Sequence, residues 1–275
     1  MNIQIDQRIL SSLALFIDYK LLKQNAFTNA TGTFYPIDSE YAGLHAYSLP
    51  YKQIVNDTSI SGAHVMSGVY YSGNFLTPGQ GNFYGINHYE GTAYFTQPVN
   101  AYALSGVFAH KDFGVKVTDR TDYKLLFDGK YVDNGKYASN PTGIPEDVEV
   151  SPIIYLRPST TENRPFALGG LDDNTVIVRA VLIADDMFKV LGASNILKDL
   201  KLKQLPIYSS LPFDQNGLYT GVPYNFEQLP KYLSNNPIIW KVRTSTVAAR
   251  GDDFNLLDKK TAFVDFEIRL LATHP

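Results

Sequence analysis

Histidine and carboxylate side chains are the residues in this sequence that could bind a metal ion or transfer protons. No HExxH, HxH or Glu-x-x-His grouping occurs around the histidines, so their spacing does not support a metal site. His88 and His110 fall in predicted strands and could approach one another. We expect all of the histidines to make polar contacts at the surface or at an interface. The five histidines are His45, His64, His88, His110 and His274.

Three acidic doublets offer paired carboxylates, at Asp172-Asp173, Asp185-Asp186 and Asp252-Asp253. A glycosidase needs two carboxylates that face each other across a cleft. Neighbouring residues on a strand point to opposite faces of the sheet, so a doublet does not meet that requirement. We therefore expect the doublets to form turns and to cap helices.

The remaining short motifs do not support catalysis either. There is no GxSxG nucleophile motif, and the glycines of "GQGNFYG" (79–85) lack the lysine of a phosphate-binding loop. "ALGGLDDN" (167–174) predicts a turn, and the RGD tripeptide at 250–252 follows a predicted strand and is interpreted as chance. The sequence thus predicts no catalytic, cofactor-binding or metal-binding residue and a protein that is not an enzyme. A hydrolase built from scattered Asp and Glu remains an alternative.

The composition limits the class of protein. The chain has 275 residues with 44% hydrophobic and 13% aromatic residues, which suits one large or two small domains rich in strands. The absence of cysteine excludes disulfides and thiolate metal sites. A net charge of -3 without a basic block does not predict specific nucleic-acid binding, although DNA could pass nearby.

The N-terminal segment predicts an amphipathic helix that packs on a sheet of its own chain or on a neighbouring subunit. Polar residues, including Asp18 and Lys20, are expected on the other side of this helix. The uncharged run 9–17 is too short to span a bilayer, so we expect no membrane contact and synthesis in the cytoplasm. The apolar residues at helical spacing are Ile5, Ile9, Leu13, Phe16, Ile17 and Leu21.

The first half of the chain then predicts short strands. Residues 25–43 are rich in Asn, Thr and Gly and predict a polar loop. Residues 60–117 alternate apolar and polar side chains and predict a meander of antiparallel strands. Its turns are expected at 72–74 and 90–91. Residues 122–134 predict a further strand or a short helix.

In the second half, strands are predicted at 152–159 and 174–185, and a hairpin is predicted from 238–250 and 262–272. Val176, Val178 and Ala180 are expected on one face of their strand. In the last strand, Val264, Phe266, Ile268 and Leu270 are likewise expected on one face.

A helix is expected near 186–204, capped by Asp185 or Asp186, with Gly192 weakening its middle. Residues 206–237 predict a long irregular segment. The predicted fold class is α+β, dominated by antiparallel sheet in a sandwich or barrel-like form, with helices at the N-terminus and near 186–204. The chain is expected to form one structural unit, 1–275, or two β-rich subdomains, 1–145 and 146–275.

One stretch resembles virion structural proteins of tailed bacteriophages. It is "INHYEGTAYFTQPVNAYALSGVFAHKDFGVKV", residues 86–117. Its pattern is a polar-aromatic step, an x-Gly turn, an aromatic strand and a small-residue strand that ends in an aromatic residue. The matching residues are His88-Tyr89, Glu90-Gly91, Ala93-Tyr94-Phe95 and Ser105-Gly106-Val107-Phe108.

The resemblance implies a neck, head-to-tail connector or tail-completion subunit that works in a homo-oligomeric ring. Such a subunit lies in the virion, is assembled in the host cytoplasm, needs no cofactor, and contacts itself and neighbouring virion proteins. Segments 206–237 and 25–60 are expected to reach those neighbours. The alternatives are a baseplate or fibre-attachment protein and, from another class, a carbohydrate-binding β-domain in which Trp240 and tyrosine-rich loops stack on sugars.

Overall fold

A computed structural model describes residues 3–41, 43–136, 143–144, 148–167, 171–210, 212, 222–232, 237–246 and 259–273. Its helices are α1 (Ile3–Lys23), α2 (Asp122–Phe127) and α3 (Met187–Lys198). Its strands are β1 (Phe27–Thr33), β2 (Tyr35–Tyr41), β3 (Leu44–Ser48), β4 (Val69–Tyr71), β5 (Asn74–Leu76), β6 (Phe83–Asn87), β7 (Thr92–Phe95), β8 (Leu104–Lys111), β9 (Gly114–Val117), β10 (Tyr131–Asp133), β11 (Glu149–Ser151), β12 (Ile153–Ala167), β13 (Leu171–Ala184), β14 (Ile238–Thr246) and β15 (Lys260–Thr273).

The predicted fold class is confirmed: the protein is α+β, with an N-terminal helix and mostly antiparallel sheets. Helix α3 lies in the predicted 186–204 region and begins after Asp186, whose side chain accepts a hydrogen bond from the Phe188 amide at 2.9 Å. It stays one helix through the exposed Gly192. None of the helices in the described part of the chain is long and apolar enough to cross a membrane.

Helix α1 packs inside its own chain. Ile9, Leu13 and Ile17 are fully buried, and the helix contacts β9, β12 and α3. The prediction that this helix packs on a sheet of its own chain is therefore confirmed. The expected position of Asp18 was wrong, because this residue also lies on the buried side of α1. Asp18 follows Ala14 by four residues, which places both side chains on one helical face.

The C-terminal sheet has the strand order β14-β15-β13-β12-β9 and is antiparallel except between β12 and β9. The predicted strands and the β14–β15 hairpin are confirmed. The predicted inner faces are confirmed as well, because Val178 of β13 pairs with Phe266 of β15 and both are fully buried. Helices α1 and α3 cover this face, and their apolar side chains share its core. One core therefore combines residues from both sides of position 145.

The N-terminal half forms two four-stranded sheets, with the orders β1-β8-β4-β5 and β2-β3-β7-β6. Buried aromatic residues from both sheets, including Phe34, Phe95 and Phe108, pack in one cluster. The predicted turns are confirmed, since Ser72 and Gly73 both have positive φ angles between β4 and β5, as a tight hairpin turn requires. The predicted meander was wrong, because β8 pairs with β1 and β4, and β7 pairs with β3 and β6.

The predicted polar loop at 25–43 was also wrong, because these residues form β1 and β2. All seven residues of β1 pair with β8, and Phe34, which follows β1, is fully buried. The Asn and Thr side chains that suggested a loop lie largely on the exposed side of β1. An edge strand needs only one apolar face, so its polar residues can outnumber its apolar ones. Strands β1 and β8 are also too far apart in sequence for a local pattern to show that they pair.

The short helix α2 and strands β10 and β11 cover part of the opposite face of the C-terminal sheet. Leu125 and Leu126 of α2 pack with Tyr155 and Val181. Residues 122–134 therefore contain both of the predicted alternatives, a short helix followed by a strand. The rest of this sheet face carries charged residues and is partly exposed.

We predict that Phe266→Ala lowers the free energy of unfolding by about 3–5 kcal/mol, because it removes a fully buried ring from the core that the C-terminal sheet shares with α1 and α3. Phe188→Ala is the matched control, because Phe188 on α3 is 82% exposed. The control should change stability by no more than about 0.5 kcal/mol. Urea titrations followed by circular dichroism measure both values, and equal effects would contradict the assigned core.

Candidate functional site

The structure separates the histidines. His45 and His64 are exposed, whereas the His88 ring is buried and its Nε2 lies 2.8 Å from the Met66 carbonyl oxygen. The His110 ring stacks on Tyr51 at 4.5 Å, and burial lowers its pKa. His274 lies outside the described residues. Among the described residues, no group of three or more His, Asp or Glu side chains could hold a metal ion.

The acidic doublets are also apart from one another. Asp186 caps α3 as predicted, and Asp185 forms an ion pair with Lys189 at 3.0 Å. The turn predicted at Asp172-Asp173 was wrong, because both residues belong to β13. Asp252-Asp253 and the RGD tripeptide at 250–252 lie outside the described residues.

A buried ion pair joins helix α1 to strand β8. Lys111 at the end of β8 lies with its Nζ 2.7 Å from Oδ2 of Asp18 on α1. Asp18 is 0% exposed and Lys111 is 6% exposed. Desolvation raises the pKa of Asp18, and the positive charge of Lys111 opposes that rise only in part. The pair therefore lies in an environment that disfavours charge.

A second buried carboxylate, Asp57, lies near this pair and also raises the pKa of Asp18 by charge repulsion. Oδ1 of Asp57 accepts hydrogen bonds from the Ser59 amide, the Ser59 hydroxyl and the Phe226 amide, at 2.9, 2.7 and 3.1 Å. Oδ2 of Asp57 is buried and has no hydrogen-bond donor among the described residues. Asp57 is thus held in place through one of its two carboxylate oxygens.

The loop that carries Asp57 crosses the interior. The Gln53 amide donates to the Tyr89 carbonyl at 2.7 Å, and the Val55 amide donates to the Ala109 carbonyl at 2.7 Å. Gln53 has φ 58°, and its side chain fills the space that a Cβ at Gly114 would need. These contacts hold residues 53–57 against β8 and β9.

A cavity of about 10 Å³, the space of about one water molecule, adjoins the ion pair. It is lined by Gln53, Asn56 and Lys111 together with apolar residues. The side-chain oxygens of Gln53 and Asn56 are buried and lack donors among the described residues. A bound water that donates to these oxygens would satisfy them.

The segment 222–229 closes the cluster from another side. The Tyr224 amide donates to the Asn56 carbonyl at 2.9 Å, and an interaction with the Tyr224 side chain lowers the pKa of Asp18. Phe226 stacks on Tyr19 of α1 with 4.0 Å between ring centroids. The buried polar cluster, Asp18, Lys111, Asp57, Gln53, Asn56 and Tyr224, therefore joins α1, β8, the 53–57 loop and the 222–229 segment.

A different polar arrangement lies on the outer face of the C-terminal sheet. Arg157 of β12 is paired in register with Arg179 of β13, and Arg179 is paired with Asp265 of β15. Two like charges directly opposite each other destabilise a sheet. Asp122 of α2 offsets this repulsion, because its carboxylate contacts Arg157 at 2.7 Å and Arg179 at 3.1 Å.

Strand β14 forms one edge of this sheet. Its first residues are covered, since the Ile239 amide donates to the Lys203 carbonyl at 3.0 Å. From Trp240 to Thr246, no strand among the described residues pairs with its outer side. Trp240 is 41% exposed, and the Arg269 guanidinium lies 4.9 Å from the centroid of its ring.

Sequence analysis identified Trp240 but missed the buried polar cluster. Lys111 and Asp18 are separated by 93 residues, so no local motif joins them. One signal was available: Asp18 lies four residues after Ala14 and four before Leu22, both buried. A carboxylate in an apolar helical face indicates a buried partner.

Comparison with known proteins assigns no family. No protein-family model and no curated protein sequence matches this chain. The buried polar cluster and the β14 edge are therefore interpreted from their own geometry. The cluster holds an ion pair away from bulk water, and the outer backbone groups of β14 from Trp240 to Thr246 have no paired strand among the described residues.

We predict that Lys111→Met destabilises the protein by about 3–5 kcal/mol at neutral pH, because it leaves the Asp18 carboxylate buried without its cation. The folded-state pKa of Asp18 is then raised further above the unfolded value. Protonation therefore favours the folded state, and the stability of Lys111→Met should increase as the pH is lowered from 7 through that raised pKa. Denaturant titrations at several pH values measure this dependence.

The double variant Asp18→Asn/Lys111→Met is the control for this pH dependence, because it has no buried carboxylate at position 18. Its stability should lack the increase at low pH. Lys116→Met provides a second control, since the Lys116–Glu149 pair is partly exposed and should contribute about 1 kcal/mol or less. A Lys111→Met variant as stable as the wild type at pH 7 would contradict the assignment.

Proposed function

We propose that this chain is a non-catalytic structural subunit of a tailed-bacteriophage virion that assembles into a ring. A neck, head-to-tail connector or tail-completion position is favoured, and a baseplate or fibre-attachment position is the alternative. The proposal places the protein in the virion, assembled in the host cytoplasm. It rests on the resemblance of residues 86–117 and on one structural observation, the open edge of β14.

The open edge supports assembly because it offers unpaired backbone groups beside large exposed side chains. An exposed strand edge is a template for another strand. Trp240 begins the open part of this edge and is 41% exposed, and the side chain of Ile238, in the covered part just before it, is 40% exposed. Aromatic residues are enriched at protein interfaces because they bury much area for little loss of conformational entropy.

The charges on β14 favour a ring contact over a two-fold contact. Antiparallel pairing of β14 with a second β14, centred on Lys241, Val242 or Arg243, places like charges opposite each other. A lysine or arginine directly opposite another cation is destabilising. The neighbouring copy is therefore expected to present a different surface that supplies carboxylates, and such head-to-tail contacts generate rings when the rotation closes.

The 206–237 segment also bears on the proposal. Its residues 222–232 pack partly on their own chain, as the buried Phe226 shows. Residues 211, 213–221 and 233–236 lie outside the described residues. Deletion of residues 210–235 would test whether this segment contacts neighbouring subunits, but it would also remove Phe226 from the core. Substitutions on β14 are therefore a cleaner test of assembly.

We predict that the purified protein forms oligomers and that Ile238→Glu/Trp240→Glu reduces them to single chains. The introduced carboxylates remove apolar contact area and alter the charge of the edge. Light scattering after size exclusion measures the mass, and circular dichroism checks that the fold is kept. Raised salt should also weaken the wild-type oligomer if carboxylates of the neighbour contact Lys241 and Arg243.

Phe188→Glu is the matched control, because Phe188 is an exposed aromatic residue that belongs to α3 and not to the β14 edge. It should leave the oligomer unchanged. A wild-type protein that stays a single chain at high concentration, both alone and with purified tail or connector fractions, would refute the proposal. Localisation of the subunit in a virion reconstruction distinguishes the neck from the baseplate.

Carbohydrate binding is a second candidate, and the exposed ring of Trp240 favours it. One ring face contacts Arg269, and Lys241 and Glu267 next to it form an ion pair at 3.0 Å. Aromatic rings beside polar groups can stack on sugars. A glycan array with the single chain tests this alternative: Trp240→Ala should lose binding, Trp240→Phe should keep it, and Ile238→Glu should not affect it.

A further inference from the structure

The buried polar cluster has the parts needed for a covalent bond. Lys111 Nζ lies 2.7 Å from a carboxylate oxygen of Asp18, and both side chains are excluded from solvent. Groups held at contact distance react as if at very high concentration, with effective molarities of about 10⁵–10⁸ M in well-oriented cases. A second buried carboxylate, Asp57, lies nearby with one oxygen that lacks a donor among the described residues.

We propose that Lys111 and Asp18 condense spontaneously to an intramolecular isopeptide bond, with Asp57 transferring the proton. This inference does not depend on the proposed function, since it concerns the interior of the single chain. It requires no cofactor, oxidant or reductant. The chain itself supplies all of the reacting groups, and the bond forms once in each molecule.

The reaction begins with proton transfer along the hydrogen bond from Lys111 to Asp18. Burial raises the pKa of Asp18, and its Oδ2 lies 2.7 Å from Nζ of Lys111, so this transfer leaves a neutral amine beside a neutral carboxyl. The amine nitrogen then attacks Cγ of Asp18, forming the C–N bond and a tetrahedral intermediate. The C–O bond to the hydroxyl breaks, and one water molecule leaves. The product is an amide between Nζ of Lys111 and Cγ of Asp18.

Asp57 moves the second proton of the reaction, which passes from the attacking nitrogen to the departing oxygen. Its carboxylate accepts a proton from the attacking nitrogen and returns it to the departing hydroxyl, so Asp57 is unchanged at the end. The hydrogen bonds from Ser59 and Phe226 to Oδ1 keep the side chain in place and leave Oδ2 for the transfer. The released water fits the cavity beside Lys111, which has the space of about one water molecule.

The bond would join α1 to β8 across 93 residues of sequence. Helix α1 belongs to the core of the C-terminal sheet, and β8 belongs to an N-terminal sheet. A cross-link between them restricts the unfolded chain, as a disulfide of the same span does, and this chain has no cysteine.

Intact mass spectrometry of the full chain under denaturing conditions tests the proposal. The wild type should be lighter than its sequence by one water molecule. Trypsin should release residues 9–20 joined to residues 53–116, because modified Lys111 is no longer cleaved. Lys111→Arg, Asp18→Ala and Asp57→Asn should each restore the full mass. Asp57→Asn is the most informative of the three, since it retains both bonding residues.

Lys116→Arg is the matched control, because Lys116 forms a partly exposed pair with Glu149 and should leave the mass deficit unchanged. Wild-type protein of full mass, with residues 9–20 and 53–111 released separately, overturns the proposal. A deficit that persists in Lys111→Arg also overturns it, since that result indicates cyclisation of an aspartate elsewhere. The wild-type peptide map decides the matter even if Asp57→Asn fails to fold.

Discussion

The contact between Asp18 and Lys111 is the constraint on which the arrangement of the whole chain depends. A carboxylate in the middle of an apolar helix is stable only with a partner, because an isolated buried charge costs several kcal/mol. That partner comes from the end of β8, so α1 cannot shift along the C-terminal sheet without separating the two charges. Tight packing of Ile17 and its neighbours fixes the helix, and the ion pair fixes its position relative to the N-terminal sheets.

The polar interior also explains how distant segments are held together. Asp57 binds the Phe226 amide, Tyr224 binds the backbone of Asn56, and Tyr19 donates a hydrogen bond to Glu227. Each of these bonds joins the N-terminal part of the chain to residues 222–229. Backbone groups in a buried loop must find partners, and the 53–57 loop finds them in residues 88–89, in β8 and in the 222–229 segment. Its sequence is therefore constrained by the surroundings of each residue.

Elements with strong local patterns were predictable from sequence, and long-range pairings were not. The β-branched run of β13, the alternation in β15 and the capped α3 were recognised because one element contains all of the information. Residues 25–43 were misread because β1 exposes its Asn and Thr side chains and depends on β8 for pairing. Asp18 was misplaced for a related reason. The apolar stripe of α1 is wide, so the sequence did not show whether Asp18 lies inside or outside it. The cation that stabilises Asp18 comes from β8, which is distant in sequence.

The outer face of the C-terminal sheet shows the opposite use of charge. Arg157 and Arg179 repel each other across β12 and β13. Asp265 of β15 pairs with Arg179, and Asp122 of α2 contacts both arginines, so the two carboxylates together relieve the repulsion. The charges there are partly exposed, so each pair is worth little alone, and their arrangement mainly specifies where α2 docks. On strand β14, Lys241 is already paired with Glu267 of β15 at 3.0 Å. Pairing with an identical edge would still place Lys241 or Arg243 of one copy opposite a cation of the other, so the charges of β14 oppose self-pairing as the two arginines oppose the pairing of β12 with β13.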